Sequence, residues 1–286
     1  MKFKKEFDNL SNNQKANIIQ QYELEVLYAD IIRNSSDPLK RGKLYHELYN
    51  KYFQKLPNHP SIIRSKDKRY IEDKINRTIQ FLCPYINEST NFIEIGAGNC
   101  TLTIELSPYV NEIVAVDVSE EIMPDYNKIP DNVKLHVSND GTALPYATNY
   151  FHVAYSNQLL EHFHPEDIKI HLSNVHEVLC MNGRYIFQTP HKYFGPHDVS
   201  KYFHNKPVGF HLKEYCNYEL YLLLKKTGFR KINLITGIKK HRIYLPIIVP
   251  IMIEFILILF SFRIRKYLAL LTPIRKCLNG HIIAIK

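Results

Sequence analysis

An α/β fold built on a doubly wound parallel sheet is predicted by three observations. Short apolar runs recur near 92–95, 112–116, 133–137, 151–155, 183–188 and 231–236, with helix-like segments between them. The first run, Phe92-Ile93-Glu94-Ile95, passes directly into Gly96-Ala97-Gly98-Asn99-Cys100. The second, Val114-Ala115-Val116, ends on Asp117. A strand, a glycine turn into a helix, and a second strand tipped by an acid produce this order. Glycine lets the backbone approach a ligand closely, and an acid at that tip can accept from both ribose hydroxyls. The pattern predicts an adenosine-containing cofactor at the carboxyl ends of the strands.

Ahead of the sheet, residues 1–90 read as helical. Ser11-Asn12-Asn13-Gln14 matches a capping box, and Ile18, Ile19, Tyr22, Val26, Leu27 and Ala29 to Ile32 follow with helical spacing. Asp37-Pro38 breaks that helix, and Lys43 to Phe53 resumes it with Leu44, Leu48 and Tyr52. Leu56-Pro57-Asn58-His59-Pro60 is a hinge-like breaker, since two prolines forbid a helix through it. A helix from about 66 to 85 then leads into the first strand. Packing alone, or a cap closing over the substrate, would each account for this region.

The cofactor is narrowed by what the turn lacks. A dinucleotide fingerprint needs a glycine three residues after the second, where this chain has Thr101. Cys100 stands where the pattern Glu-x-Gly-x-Gly-x-Gly has its last glycine. Glu94, two residues before Gly96, suits a cationic ligand and works against a pyrophosphate on the next helix N-terminus. Further on come Asn139-Asp140-Gly141-Thr142, then Phe151-His152-Val153-Ala154-Tyr155, Gln158-Leu159-Leu160-Glu161-His162, and Leu179 to Phe187 with Asn182-Gly183 inside it. With these five ordered motifs the chain resembles the class I S-adenosylmethionine-dependent methyltransferases of the methyltransferase domain 11/25 group, over roughly 75–238 and the last few residues.

The resemblance implies a seven-stranded Rossmann-like methyltransferase sheet with an N-terminal helical cap (1–74), a cofactor-binding core (75–238), a helical insertion (239–278) and a last strand (279–286). It implies that Glu94, Gly96, Ala97 and Gly98 line the methionine end of S-adenosylmethionine and that Asp117 takes the ribose hydroxyls. Val118 would touch the adenine, Asp140 would accept from its amino group beside Gly141, and Asn157 would sit near the sulfonium.

The stretch Thr189-Pro190-His191-Lys192-Tyr193-Phe194-Gly195-Pro196-His197-Asp198-Val199-Ser200 resembles a loop of one methyltransferase subgroup. Gly209 to Tyr215, Glu219-Leu220 and Thr227-Gly228-Phe229 extend that likeness. An alcohol is a poor nucleophile until its proton is removed, and histidine suits that task near neutral pH. His197 and then His191 are the candidate bases, with His211 a third, and Asp198 could orient a ring other than that of His197. His162 reads as structural or as a pocket wall. No ligand spacing demands a metal, and none is expected.

Composition bounds the rest. The five cysteines, at 83, 100, 180, 216 and 277, include no Cys-x-x-Cys pair, which argues against a zinc site or a disulfide framework and for a reducing compartment. No apolar stretch follows the basic start, so no signal peptide is expected. The net charge of +9 is local: residues 230–286 hold 11 Lys/Arg against Glu254 alone, whereas 1–229 hold 26 against 27 acids. A nucleic-acid substrate is disfavoured, because the basic residues alternate with aliphatics and not with stacking aromatics.

Residues 243–262 are nearly long enough to span a bilayer, but two prolines and Glu254 oppose it. Gly280 to Lys286 reads as a last strand antiparallel to the sixth, so 239–278 must leave and re-enter one sheet edge. An inserted helical pair is expected, packed over the sheet or touching an anionic membrane surface, with membrane contact preferred. The expected function is cytoplasmic methylation of a hydroxyl on a sugar or glycan at the inner membrane face, as in polysaccharide biosynthesis. The alternatives are a small soluble metabolite or quinone as acceptor, or a catalytically silent cofactor-binding subunit.

Overall fold

The computed structural model describes residues 4–56, 68–121, 123–124, 129–144, 146–237 and 242–286. The breaker at 57–60 and the start of the insertion at 239–241 lie outside these. A short turn of helix, α1 (Lys5–Asp8), precedes α2 (Asn12–Arg33), which begins at the Ser11 capping box with both reciprocal bonds to Gln14 formed. Asp37 accepts from Leu39 N–H, and Pro38 occupies the first turn of α3 (Pro38–Lys55), so the Asp-Pro pair both ends one helix and starts the next. Helix α4 (Lys68–Leu82) leads through a tight turn into β1 (Asn91–Ile95). Its span contains the 74/75 boundary drawn from the sequence, so that boundary cuts a helix.

The alternation then proceeds through α5 (Thr101–Leu106), β2 (Glu112–Asp117), β3 (Val133–Val137), β4 (Phe151–Asn157), α6 (Asp167–Val178) and β5 (Leu179–Gln188). After a long loop come α7 (Asn217–Lys226), β6 (Lys231–Thr236), β7 (Ile243–Pro246), α8 (Ile248–Leu257), α9 (Phe262–Leu270), α10 (Thr272–Leu278) and β8 (His281–Ile285). The strand order is β3-β2-β1-β4-β5-β8-β6-β7. The first five are parallel, and β8 runs antiparallel between β5 and β6.

Two expectations change. The sheet has eight strands among the described residues, because Ile243–Pro246 pairs antiparallel with β6 and extends the edge. The insertion is consequently a strand and three helices in place of a helical pair.

The central strands are buried on both faces, which is why they read as unbroken apolar runs. Ile93, Ile95, Val114, Val116, Ala154, Tyr185 and Phe187 pack on one face with residues of α2, α3, α6 and α7. Phe92, Ile113, Val153, Tyr155 and Ile186 pack on the other with Phe81 and Leu82 of α4 and Leu102 and Leu106 of α5.

Candidate active site

Register sets the site. Ile95 lies opposite Val116, so the chain leaving β1 is held beside the end of β2, where the Val116 carbonyl accepts from Gly96 N–H at 2.8 Å and Ala97 N–H at 3.1 Å. Gly96 has φ +74°, a conformation costly for any residue with a Cβ, and a Cβ there would lie 3.0 Å from Leu159 Cδ1. Asp117 closes the turn: its carboxylate accepts from Gly98 N–H at 2.7 Å and Ser119 N–H at 3.0 Å. Burial raises the Asp117 pKa above the ordinary range, against these backbone bonds that lower it. Cys100, at φ 55°, takes the left-handed position that glycine would occupy most easily, and its thiol is pushed up to about 12 by burial.

A cleft opens over this turn, lined by Gly96, Asp117, Val118, Gly141, Gln158 and Leu159, among others. Its roof is α3, through Tyr45, Tyr49 and Phe53. Two contacts lock α3 in place. Buried Arg41 donates to both oxygens of Asp167 on α6, at 2.6 and 2.8 Å, with Tyr45 O–H donating to the same carboxylate at 2.8 Å. Gly42 then meets the Asp140 backbone so closely that a Cβ would be 2.8 Å from its carbonyl oxygen. Asp140 Oδ1 accepts from Thr142 N–H and O–H and from Ala143 N–H, which fixes the loop that presents Gly141.

Of the residues assigned to the cofactor, Glu94, Ala97, Gly98, Asp140 and Asn157 do not line this cleft. Glu94 is buried beneath the turn, where Oε2 accepts from Thr103 O–H of α5 at 2.5 Å; desolvation lifts its pKa to about 7. Asn157 ends β4 on the α4 face, in a separate depression with Asp73, Lys74, Arg77 and Gln188. The next residue, Gln158, turns at φ 56° and meets the cleft in its place.

The candidate bases separate similarly. His191 is buried away from the cleft: its Nδ1 accepts from Tyr193 N–H at 3.2 Å, and Nε2–H donates to Glu254 Oε1 at 2.7 Å. Asp198 accepts from Ser200 N–H, Ser200 O–H and Gly209 N–H, so it folds its own loop. His197 is partly exposed, 3.2 Å through Nδ1 from Glu214 Oε2. Local sequence could not foresee these pairings, because Glu254 and Glu214 come from other segments.

Beside the cleft the structure gathers a different set: Glu161, His162 and His211, one ligand atom of each lying within 4.8 Å of the others. His162 lines the cleft. Its Nδ1 is 3.0 Å from the Phe210 carbonyl, which can only accept, so Nδ1 carries the hydrogen, and Tyr49 O is 2.8 Å from the same nitrogen. Burial depresses the His162 pKa to about 3, keeping the ring neutral with Nε2 bare. His211 Nδ1 is 2.9 Å from Glu214 Oε1. Burial works against a charged His211, but the Glu214 bond and the charges of Glu161, Asp198 and Glu214 outweigh it and raise its pKa. Glu214 is held down at about 2: burial opposes this, and the bonds from His197 and His211 overcome it.

Glu161 is fully buried, accepts from Thr189 O–H at 2.8 Å through Oε2, and has no hydrogen-bond partner for Oε1 among the described residues. Desolvation raises its pKa to about 7. Glu161-His162 was legible as a pair in the sequence; its meeting with His211 was not.

The residues present fit S-adenosylmethionine. A glycine turn that a Cβ would obstruct, a buried carboxylate at the second strand tip, and an aromatic and aliphatic roof are the surroundings an adenosine with a charged tail requires. Residues 93–187 match the family model described as a methyltransferase domain. No curated protein matches the chain. Among solved structures, phosphoethanolamine N-methyltransferase 1 of Haemonchus contortus, in complex with phosphoethanolamine and S-adenosylhomocysteine, is similar at 13% identity and TM-score 0.53, over 85% of this chain and 49% of that one. The methyltransferase complexed with the Haloferax volcanii Trm112 activator matches at 13% identity and TM-score 0.50, over 76% and 91%. An S-adenosylmethionine-dependent methyltransferase from Archaeoglobus fulgidus matches at 18% and TM-score 0.45, over 83% and 99%.

Proposed function

We propose, for a chain that belongs to the class I S-adenosylmethionine-dependent methyltransferases, methyl transfer to a hydroxyl group of a sugar or glycan acceptor. The observation that carries the hydroxyl reading is the cluster of Glu161, His162 and His211 beside the cofactor cleft, with its bare imidazole nitrogen and a carboxylate oxygen that has no partner among the described residues. Lone pairs held in that position can take up an acceptor's hydroxyl hydrogen.

Bound in the cleft, S-adenosylmethionine would supply an activated methyl group, with its sulfur as the leaving atom that keeps the C–S electron pair. This chain's own residues then have three tasks. Asp117 orients the adenosine end and the Gly96–Gly98 turn the methionine end. Tyr45, Tyr49, Phe53 and Leu159 exclude water from the cleft. The hydroxyl proton passes to the cluster, where Glu161, with its pKa near neutrality, suits a base working around pH 7.

The glycan part of the reading is supported by the polar, hydrogen-bonding character of that cluster. Membrane contact is supported by the surface of α8 and α9, where Ile248, Met252, Phe255, Leu259 and Phe262 are exposed beside Arg263. No described helix is long and apolar enough to cross a membrane, so contact would be peripheral.

The test supplies methyl-labelled S-adenosylmethionine to purified protein with fractionated cell extract, using Asp117→Ala as the blank. Label in a polysaccharide or lipid-linked sugar fraction is expected. Label confined to amines or thiols would overturn the hydroxyl reading, and label only in small soluble metabolites would overturn the glycan one.

A further inference from the structure

We propose that Glu161, His162 and His211 bind a divalent first-row transition-metal ion, which holds the acceptor hydroxyl beside the cofactor. The inference rests on the hydroxyl-acceptor reading and deepens it; from the sequence, no metal was expected.

Three features of the cluster point to an ion. First, the two imidazoles are arranged as metal ligands usually are, each with one nitrogen turned to an acceptor so that the other is left to bind, in His211 once an ion displaces its proton. For His162 the occupied atom is Nδ1, on the Phe210 carbonyl, and for His211 it is Nδ1, on the Glu214 carboxylate. Second, Glu161 is fully buried and its Oε1 has no hydrogen-bond partner among the described residues. A buried carboxylate oxygen left bare is costly unless a cation or donor meets it. It lies 4.0 Å from His162 Nε2. Third, the ligand atoms of all three residues fall within 4.8 Å of one another. An ion with ligands at about 2.0–2.2 Å would draw them closer by side-chain rotation.

Two imidazoles and one carboxylate suit Mn, Fe, Co or Zn better than Ca or Mg, which prefer all-oxygen sets. Three protein ligands leave coordination positions open. Because His162 also lines the cofactor cleft, those positions lie next to the space an acceptor would enter. An alcohol bound there ionises at a lower pH, releasing its proton to water and leaving the oxygen as nucleophile. With the ion bound, Glu161 and the two histidines act as ligands, so water replaces Glu161 as the proton's acceptor, and Glu214 is the group that orients His211.

The test uses the full-length protein, freed of metal with chelator and titrated with Co²⁺ and Mn²⁺. Binding is read by calorimetry and by the visible spectrum of bound Co²⁺. One ion per chain is expected. Affinity should fall by about 10–100-fold in Glu214→Gln, which alters the group behind His211 and leaves all three ligands in place, and by more in Glu161→Gln. Circular dichroism and S-adenosylmethionine binding report that each variant is folded. If the wild-type protein binds no ion, or binds Co²⁺ no better than folded Glu161→Gln, the proposal is overturned. Undiminished label transfer to a hydroxyl acceptor by ion-free protein would also overturn it while leaving the hydroxyl reading intact. Ion binding without transfer to any hydroxyl would support the site and remove the reading it deepens.

Discussion

Glu161 and Glu254 are both buried, and each lies near a histidine: Glu161 near His162, its neighbour in sequence, and Glu254 near His191, 63 positions away. Around Glu254 every oxygen is used: it accepts from His191 Nε2–H, from Asn217 N–H and side-chain N–H, and from Tyr218 N–H. Those backbone donors open α7, so the carboxylate also meets the positive end of a helix. This explains a charge in the middle of an apolar segment without a bilayer: Glu254 pins α8 of the insertion onto the core. Around Glu161 one oxygen has no partner among the described residues, and the nearest ring is neutral. A fully satisfied buried carboxylate builds structure; one left half-satisfied beside a cofactor cleft is available for chemistry.

The largest effects should separate the two. Glu161→Gln keeps size and burial but removes the charge, and methyl transfer is expected to fall by about 10²–10⁴-fold with cofactor binding retained. Glu254→Ala leaves four donors without their acceptor and is expected to cost about 3–5 kcal/mol, lowering Tm by on the order of 10 °C. Activity per folded molecule should stay close to wild type. A Glu254→Ala protein of normal Tm but no activity would reverse the assignment of the two residues.

Their pH dependences should also oppose each other. Burial raises Glu161 from an ordinary carboxylate value to about 7 in the fold. The unfolded chain therefore loses this proton first, and stability drains away as pH rises from about 4.5 toward 7, by at most about 3 kcal/mol. Glu254 is shifted the other way: burial opposes the shift, and the His191 bond and charge with the backbone donors prevail. Its contribution is present above the ordinary carboxylate pKa and is lost as pH falls through its lower folded value. Denaturant titrations of metal-free protein should show Glu161→Gln more stable than wild type at pH 8 and equal to it near pH 4. Glu254→Ala should be least stable, relative to wild type, at neutral pH. Equal offsets across the range for either variant would contradict its assigned shift.

How much of this was readable beforehand follows the same division. Strands buried on both faces advertise themselves as apolar runs, so the sheet and the Gly96–Asp117 pairing were legible. Aromatics at 45, 49 and 53 recur at helical spacing, but so do Leu48 and Tyr52 on the same helix. Spacing alone cannot say which stripe packs in the core and which roofs a cleft; the Arg41–Asp167 pair, across 126 positions, decides it. The partners of the histidine loop were illegible for the same reason. His191, His197 and Asp198 lie within eight residues of one another, but their partners are Glu254, Glu214 and Gly209. A base is selected by what surrounds it, and that is set by distant segments.

The smallest expected effect concerns the far side of Glu254. On α8 the inward face, Pro250, Ile251, Glu254 and Leu257, is buried, whereas Met252 is 60% exposed and Leu259, just beyond the helix, 82%. One helix thus has two apolar faces, only one of which meets the protein, and Arg263, Arg275 and Lys276 stand exposed on the helices that follow. Apolar side chains beside cations suit the interface of an anionic leaflet, each basic residue adding about 1 kcal/mol. Wild-type protein should co-sediment with vesicles containing phosphatidylglycerol, less so with neutral vesicles, and less again at high salt. Met252→Glu combined with Leu259→Glu should weaken that association by about 10-fold, with Tm and transfer to a soluble acceptor nearly unchanged, since neither residue packs inward. Vesicle binding equal in wild type and the double variant would show that this face serves no membrane, and the contrast across α8 would then lie only in what the core covers.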